Sequence, residues 1–267
     1  MAPKQEVSIA ANRRNFLKVA GMTGMGLASA AAMGSRFATD AKVEAATYSD
    51  VDVLNFALNL EYLEAEFYAF ATYGAGLVQL GVISAYDTTG PTTGGHMVPG
   101  FGQLPEAYLA SALRKDEIKH VQYLRSALGS AAVKKPAINL NALGIGFANV
   151  TQFLILARAF EDVGVSAYLG AVPLIASSPY LPYAAAILAT EAQHVGTIRE
   201  VCINKGITCP SVDSRDVPPT TANPYDVDAN ALSIPRTTSQ VLNIVYAGGS
   251  SSGGFYPEGM NGNIARQ

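Results

Sequence analysis

Four long stretches of the chain repeat apolar side chains at helical spacing, and each carries a glutamate on its apolar face. The first is predicted to start near Ser49, with Asp52 three residues on as a partial capping box. It runs to about Tyr73, where Gly74 and Gly76 stop it, and Leu54, Ala57, Leu58, Ala65 and Tyr68 share a face with Glu61. The second opens at Pro105, a good first-turn residue, and ends at Gly129, with Glu117 among Ala110, Leu113, Val121 and Leu124. The third starts near Asn149 or Thr151 and continues to Val172, with Glu161 among Leu154, Ala157, Val165 and Tyr168. The fourth is expected to open at Ser178-Pro179, as cap and first-turn residue, and to end before Gly206. Its Glu191 is surrounded by Ala184, Ile187, Leu188, Val195 and Ile198.

Between these stretches the periodicity is lost. Residues 74–104 are rich in Gly, Thr and Pro, and loops of this length are usually functional or mobile. His96 reads as a loop residue. Residues 130–148 are long enough to cross a bundle from end to end. From Ile207 onward Pro, Ser, Thr and Gly dominate, with one short helix expected over Thr238–Tyr246; the rest of residues 207–267 drapes over the bundle or is loosely held. The fold class is all-α, a four-helix bundle over residues 46–206.

A carboxylate on an apolar face costs several kcal/mol unless it is paired or bound to a cation, so four of them need a common explanation. The second and fourth helices read Glu117-x-x-His120 and Glu191-x-x-His194, which account for two of the three histidines. Residues three apart on a helix point the same way, so each pair aims a carboxylate and an imidazole at one place. The first and third helices match as Glu61…Tyr68 and Glu161…Tyr168, two turns apart on one face. The chain is a duplicated helical hairpin. Glu61 and Glu117 lie 56 residues apart and Glu161 and Glu191 lie 30 apart, and the surplus of 26 fits the long first loop.

This pattern resembles the ferritin-like di-metal carboxylate proteins such as rubrerythrin, bacterioferritin and manganese catalase, in which two helices give one Glu each and two give Glu-x-x-His. The resemblance covers residues 49 to 205. Leu60-Glu61-Tyr62-Leu63-Glu64-Ala65-Glu66-Phe67-Tyr68 and Phe255-Tyr256-Pro257-Glu258-Gly259 are similar to the exported and desiccation-related members. It implies that Glu117 and Glu191 bridge two metal ions, that Glu61 and Glu161 are terminal ligands, and that His120 and His194 bind one ion each. Iron is expected ahead of manganese. Asp116 is expected to hydrogen-bond a ligating histidine of the other hairpin. Tyr68 and Tyr168 are candidate catalytic residues that hydrogen-bond carboxylates or pass electrons, or else only pack. Glu64, opposite Gly164 in the repeat, is a switching ligand, a proton relay or a surface residue, with a place beside the ligands or at the surface favoured. Gly164 could open a channel for oxygen or peroxide beside Glu161.

Composition limits the partners. A net charge of −3 over 267 residues offers no attraction to nucleic acid or anionic membrane. Asn12-Arg13-Arg14-Asn15-Phe16-Leu17-Lys18, followed by a weakly apolar uncharged run, resembles a twin-arginine export signal within residues 1–45. It implies handling by the twin-arginine machinery and a periplasmic or extracellular site. In that oxidising compartment Cys202 and Cys209, the only cysteines, are a disulfide candidate. The expected function is a di-iron protein reacting with oxygen or peroxide and ferrous iron, by ferroxidase or peroxidase chemistry. The alternatives are a dimanganese catalase-like enzyme and a non-enzymatic stress- or desiccation-related protein. A homo-oligomer is compatible with either, whereas a storage cage would have to place the long loop and the tail.

Overall fold

A computed structural model describes residues 47–101, 105–177 and 179–267. The expected export signal of residues 1–45 lies outside the described residues. Helix α1 (Asp50–Tyr73) is started by Ser49, whose side chain accepts from the Asp52 amide while the Asp52 carboxylate accepts from the Ser49 amide. Gly74 ends it in the left-handed conformation at φ 66°. Helix α2 (Pro105–Leu128) follows the long first loop. Helix α3 (Val150–Ala171) is capped by the Asn149 side chain. Helix α4 (Leu181–Asn204) begins later than the sequence suggests: Tyr180 caps it without a side-chain bond and Pro182, not Pro179, sits in the first turn. Residue 178, the expected cap, is outside the described residues. Helix α5 (Thr238–Val245) lies in the tail and opens on a Thr237–Gln240 capping box.

Helix α1 packs along α2, α3 packs along α4, and α1 lies beside α3, which α5 also covers. This is an all-α bundle of four long helices with α5 laid against it. Among the described residues no helix is long and apolar enough to cross a membrane.

The connections are not loose. In the first loop β1 (Thr92–Thr93) pairs in parallel with β2 (Ile138–Asn139) of the second crossover. The buried Lys135 holds the two together, donating to Gly90 O, Thr92 Oγ1 and Pro136 O. Every residue of α1 from Val53 to Ala69 is buried, because the second crossover and the tail close its outer side. Polar residues there make the bonds that hold the cover. Asn55 donates to Ala131 O and accepts from Val133 N. Asn59 donates to Asn261 O and accepts from Asn261 N, and Tyr256 donates to Asn59 O.

The remainder of the tail is clamped by three buried arginines that the apolar pattern did not single out. Arg158 pairs with Asp162 and Asp216, Arg199 with Asp162, and Arg236 with Asp213. Gly170 admits the tail backbone, since a Cβ there would lie 2.0 Å from Arg236 O.

Candidate metal centre

The repeat in the sequence becomes a convergence in space. Glu61 from α1, Glu117 and His120 from α2, and Glu191 from α4 bring ligand atoms within 4.8 Å of one another. Glu117, Glu161 from α3, Glu191 and His194 form a second such group. All six residues are buried, and Glu117 and Glu191 belong to both groups. Each histidine faces carboxylates through Nδ1. His120 Nδ1 lies 3.2 Å from Glu61 Oε2, 2.9 Å from Glu117 Oε2 and 3.1 Å from Glu191 Oε1. His194 Nδ1 lies 2.9 Å from Glu117 Oε1 and 3.2 Å from Glu161 Oε2. The two rings are inclined at 29° to one another, with centroids 6.2 Å apart.

Proximity is not matched by hydrogen bonding. Glu61 Oε2, Glu117 Oε1, Glu161 Oε2, both oxygens of Glu191 and His194 Nδ1 are buried without a hydrogen-bond partner. The short His194–Glu117 approach therefore lacks hydrogen-bond alignment: the lone pairs are aimed at shared space. Buried polar atoms are rarely left in this way, and a cluster of them with mixed carboxylate and imidazole donors fits divalent cations. Two such cations would balance the four carboxylate charges.

The electrostatics of the protein alone carry the same message. Burial and the neighbouring Glu161 push the Glu117 carboxyl up to about 7. Burial, then Glu117 and Glu161, hold Glu191 well above the usual range. Burial by itself would lower both imidazoles. For His120 the charge of Glu61, the bond to Glu117 and the nearby Glu191 carboxylate outweigh it and raise the ring. For His194 Glu117 and Glu161 raise it to about 11. The cluster of side chains thus holds protons unless cations take their place.

The neighbouring residues sort clearly. Tyr68 donates to Glu161 Oε1 at 2.5 Å and Tyr168 to Glu61 Oε1 at 2.5 Å, each to the glutamate of the other helix. Asp116 Oδ2 lies 3.3 Å from His194 Nε2, across the two hairpins. Glu64 is buried at 3 % exposure, which removes the surface reading, and it packs with Glu191 against Gly164. His96 is exposed in the first loop, its Nδ1 by Met97 O.

Cys202 and Cys209 are buried free thiols, so the expected disulfide is not formed in this structure. The neighbouring Cys202 thiol, with Arg158 nearby, brings Cys209 down to about 7 against the opposing effect of burial.

Sequence reasoning named Tyr256 only within the tail motif and missed its contact: it reaches α1 from the tail, and its hydroxyl is raised by burial and by Glu64. It carries no spacing signal. Arg158 and Asp162 do carry one, as an i,i+4 ion pair inside an apolar helix.

The family model described as "Ferritin-like domain" matches residues 49–204. The chain is 24% identical to the ferritin-like catalase Nec2 of Nesocodon mauritianus over 82% of its own length and 86% of that protein. It is 29% identical to the desiccation-related protein PCC13-62 of Craterostigma plantagineum over 57% of its own length and 52% of that protein.

Proposed function

This chain belongs to the ferritin-like domain family, and from that premise we propose that it is an exported di-metal carboxylate protein, most simply di-iron, that reacts with oxygen or peroxide. The observation that carries the reading is the pair of overlapping ligand groups sharing Glu117 and Glu191. Glu61, Glu117, His120, Glu161, Glu191 and His194 would hold two ions, Glu117 and Glu191 in common. When bound, two redox metals side by side supply two-electron exchange with oxygen or peroxide.

The chain supplies the rest. Tyr68 and Tyr168 fix Glu161 and Glu61 through their Oε1 atoms, leaving Oε2 of each turned toward a histidine. Asp116 orients the His194 ring through Nε2. Glu61, Glu117, Glu161 and Glu191 are themselves fully buried, which keeps bulk water from the carboxylates. The twin-arginine-like segment supports a periplasmic or extracellular location, where the protein would protect against oxidants.

A second reading, dimanganese peroxide disproportionation, draws on the name of the catalase relative. Metal analysis of protein isolated from its native host, with absorption spectra before and after peroxide, decides. Iron with ferrous oxidation supports the first reading, and manganese with oxygen release from peroxide supports the second. An empty, inert site would overturn both in favour of a non-enzymatic, desiccation-related role.

A further inference from the structure

A cavity of about 390 Å³ opens between α1, α3, the second crossover and the tail. At its rim Leu143 is 51% exposed, with Ile145 and Val212 half-buried beside it. At its floor Leu63, Phe160 and Glu64 are buried. The volume falls among small-molecule sites, which span about 300–1,000 Å³ and combine apolar walls with a few placed polar groups. Oxygen or peroxide needs no such space.

The placed group is Glu64. Its Oε1 and Glu191 Oε2 would each lie 3.1 Å from a Cβ on Gly164, so Glu64, which lines the cavity, has its carboxyl beside the same glycine as the shared ligand Glu191. Other carboxylates of α1 are fixed by donors, Glu61 by Tyr168 and Glu66 by the Leu77 amide. Among the described residues Glu64 has no comparable bond. A buried acceptor without a donor favours a ligand that brings one. A single carboxyl at the end of an apolar chamber can take the one proton of a hydroxyl, whereas an ammonium would turn N–H groups toward apolar walls that offer them no partner.

We propose that this cavity binds a small organic molecule with an apolar body and a single hydroxyl, the hydroxyl donating to Glu64 and the body lying between Ala159, Phe160 and Val212. This goes beyond the redox reading above. It gives the protein an organic ligand beside the carboxylate cluster, recognised by side chains outside the six ligand candidates.

The test is calorimetric titration of the full chain, metal-free and metal-loaded, with 4-propylphenol and with 4-propylanisole, which has the same body without the donor. The phenol is expected to saturate at one per chain, and the anisole to bind at least about tenfold more weakly. Ala159→Phe or Val212→Phe, each filling the chamber, should weaken the phenol by about tenfold or more with metal content unchanged. Glu64→Leu should bring phenol and anisole to equal affinity. Absence of saturable phenol binding to the unaltered protein would overturn the proposal, as would a phenol and an anisole that bind alike to it. So would full affinity in a folded Phe variant; Val212 lies in the tail, so its variant remains informative if Ala159→Phe fails to fold. The metal-free titration keeps this result separate from failure of the di-metal reading.

Discussion

Tyr68 on α1 donates to Oε1 of Glu161 on α3, and this bond decides which oxygen of Glu161 turns toward His194: the other, Oε2, lies 3.2 Å from His194 Nδ1. Tyr168 does the same for Glu61 from the opposite side, leaving Glu61 Oε2 at 3.2 Å from His120 Nδ1. The tyrosines are crossed, so each helix positions the carboxylate of its partner.

Tyr68→Phe keeps the ring packing and removes the donor, leaving Glu161 Oε1 buried and unpaired. Urea unfolding of the metal-free protein should show a loss of about 1–3 kcal/mol. An unchanged midpoint would mean that the tyrosine only packs.

Glu117 and Glu191 sit in both ligand groups, while His120 sits in one. Elemental analysis should therefore find Glu117→Ala depleted of both ions, and His120→Ala depleted mainly of one. Equal losses in the two variants would contradict the bridging assignment.

Metal binding should tighten as pH rises, because cations displace protons from Glu117 and His194. The metal-free protein should behave in the opposite sense. Glu117 titrates near 4.5 when unfolded and is raised to about 7 when folded. Between those values the folded state holds the extra proton, so stability from this group is present below 4.5 and is lost as pH rises through 7. Melting temperatures from about pH 5 to about pH 8 should fall without metal, and the gain on adding metal should widen over the same range. A melting curve unmoved by thorough chelation would count against a filled centre.

Asp216 ties the tail to the bundle by accepting from Arg158 at 2.7 Å, and it braces the tail itself by accepting from the Val212 amide at 2.8 Å. Asp216→Ala removes one of the two carboxylate partners of the buried Arg158 and leaves Asp162, a change expected to cost about 1–3 kcal/mol. Trypsin should then cut first at Arg215, with the bundle helices released later.

The bundle and the six ligand candidates were legible because helical periodicity and Glu-x-x-His spacing are local properties that survive in one dimension. The tyrosine pairing was not. Tyr68 stands two turns above Glu61 in the sequence, yet it bonds Glu161, because the choice depends on how α1 lies against α3. Glu64 was ambiguous for a related reason. Its surroundings are set by Gly164 of α3 and Glu191 of α4, which lie far from it in the sequence. The late start of α4 shows the weakness of a boundary inferred from one proline, since Pro182 serves the first turn where Pro179 was expected to.

Asn59 is closed over by Tyr256 and Asn261, and all the bundle helices leave the ribosome before either of them. The outer side of α1 is therefore open for an interval during synthesis, with the hairpins able to meet while the cover is still missing. Full burial of α1 can therefore be reached only after all four bundle helices have been made.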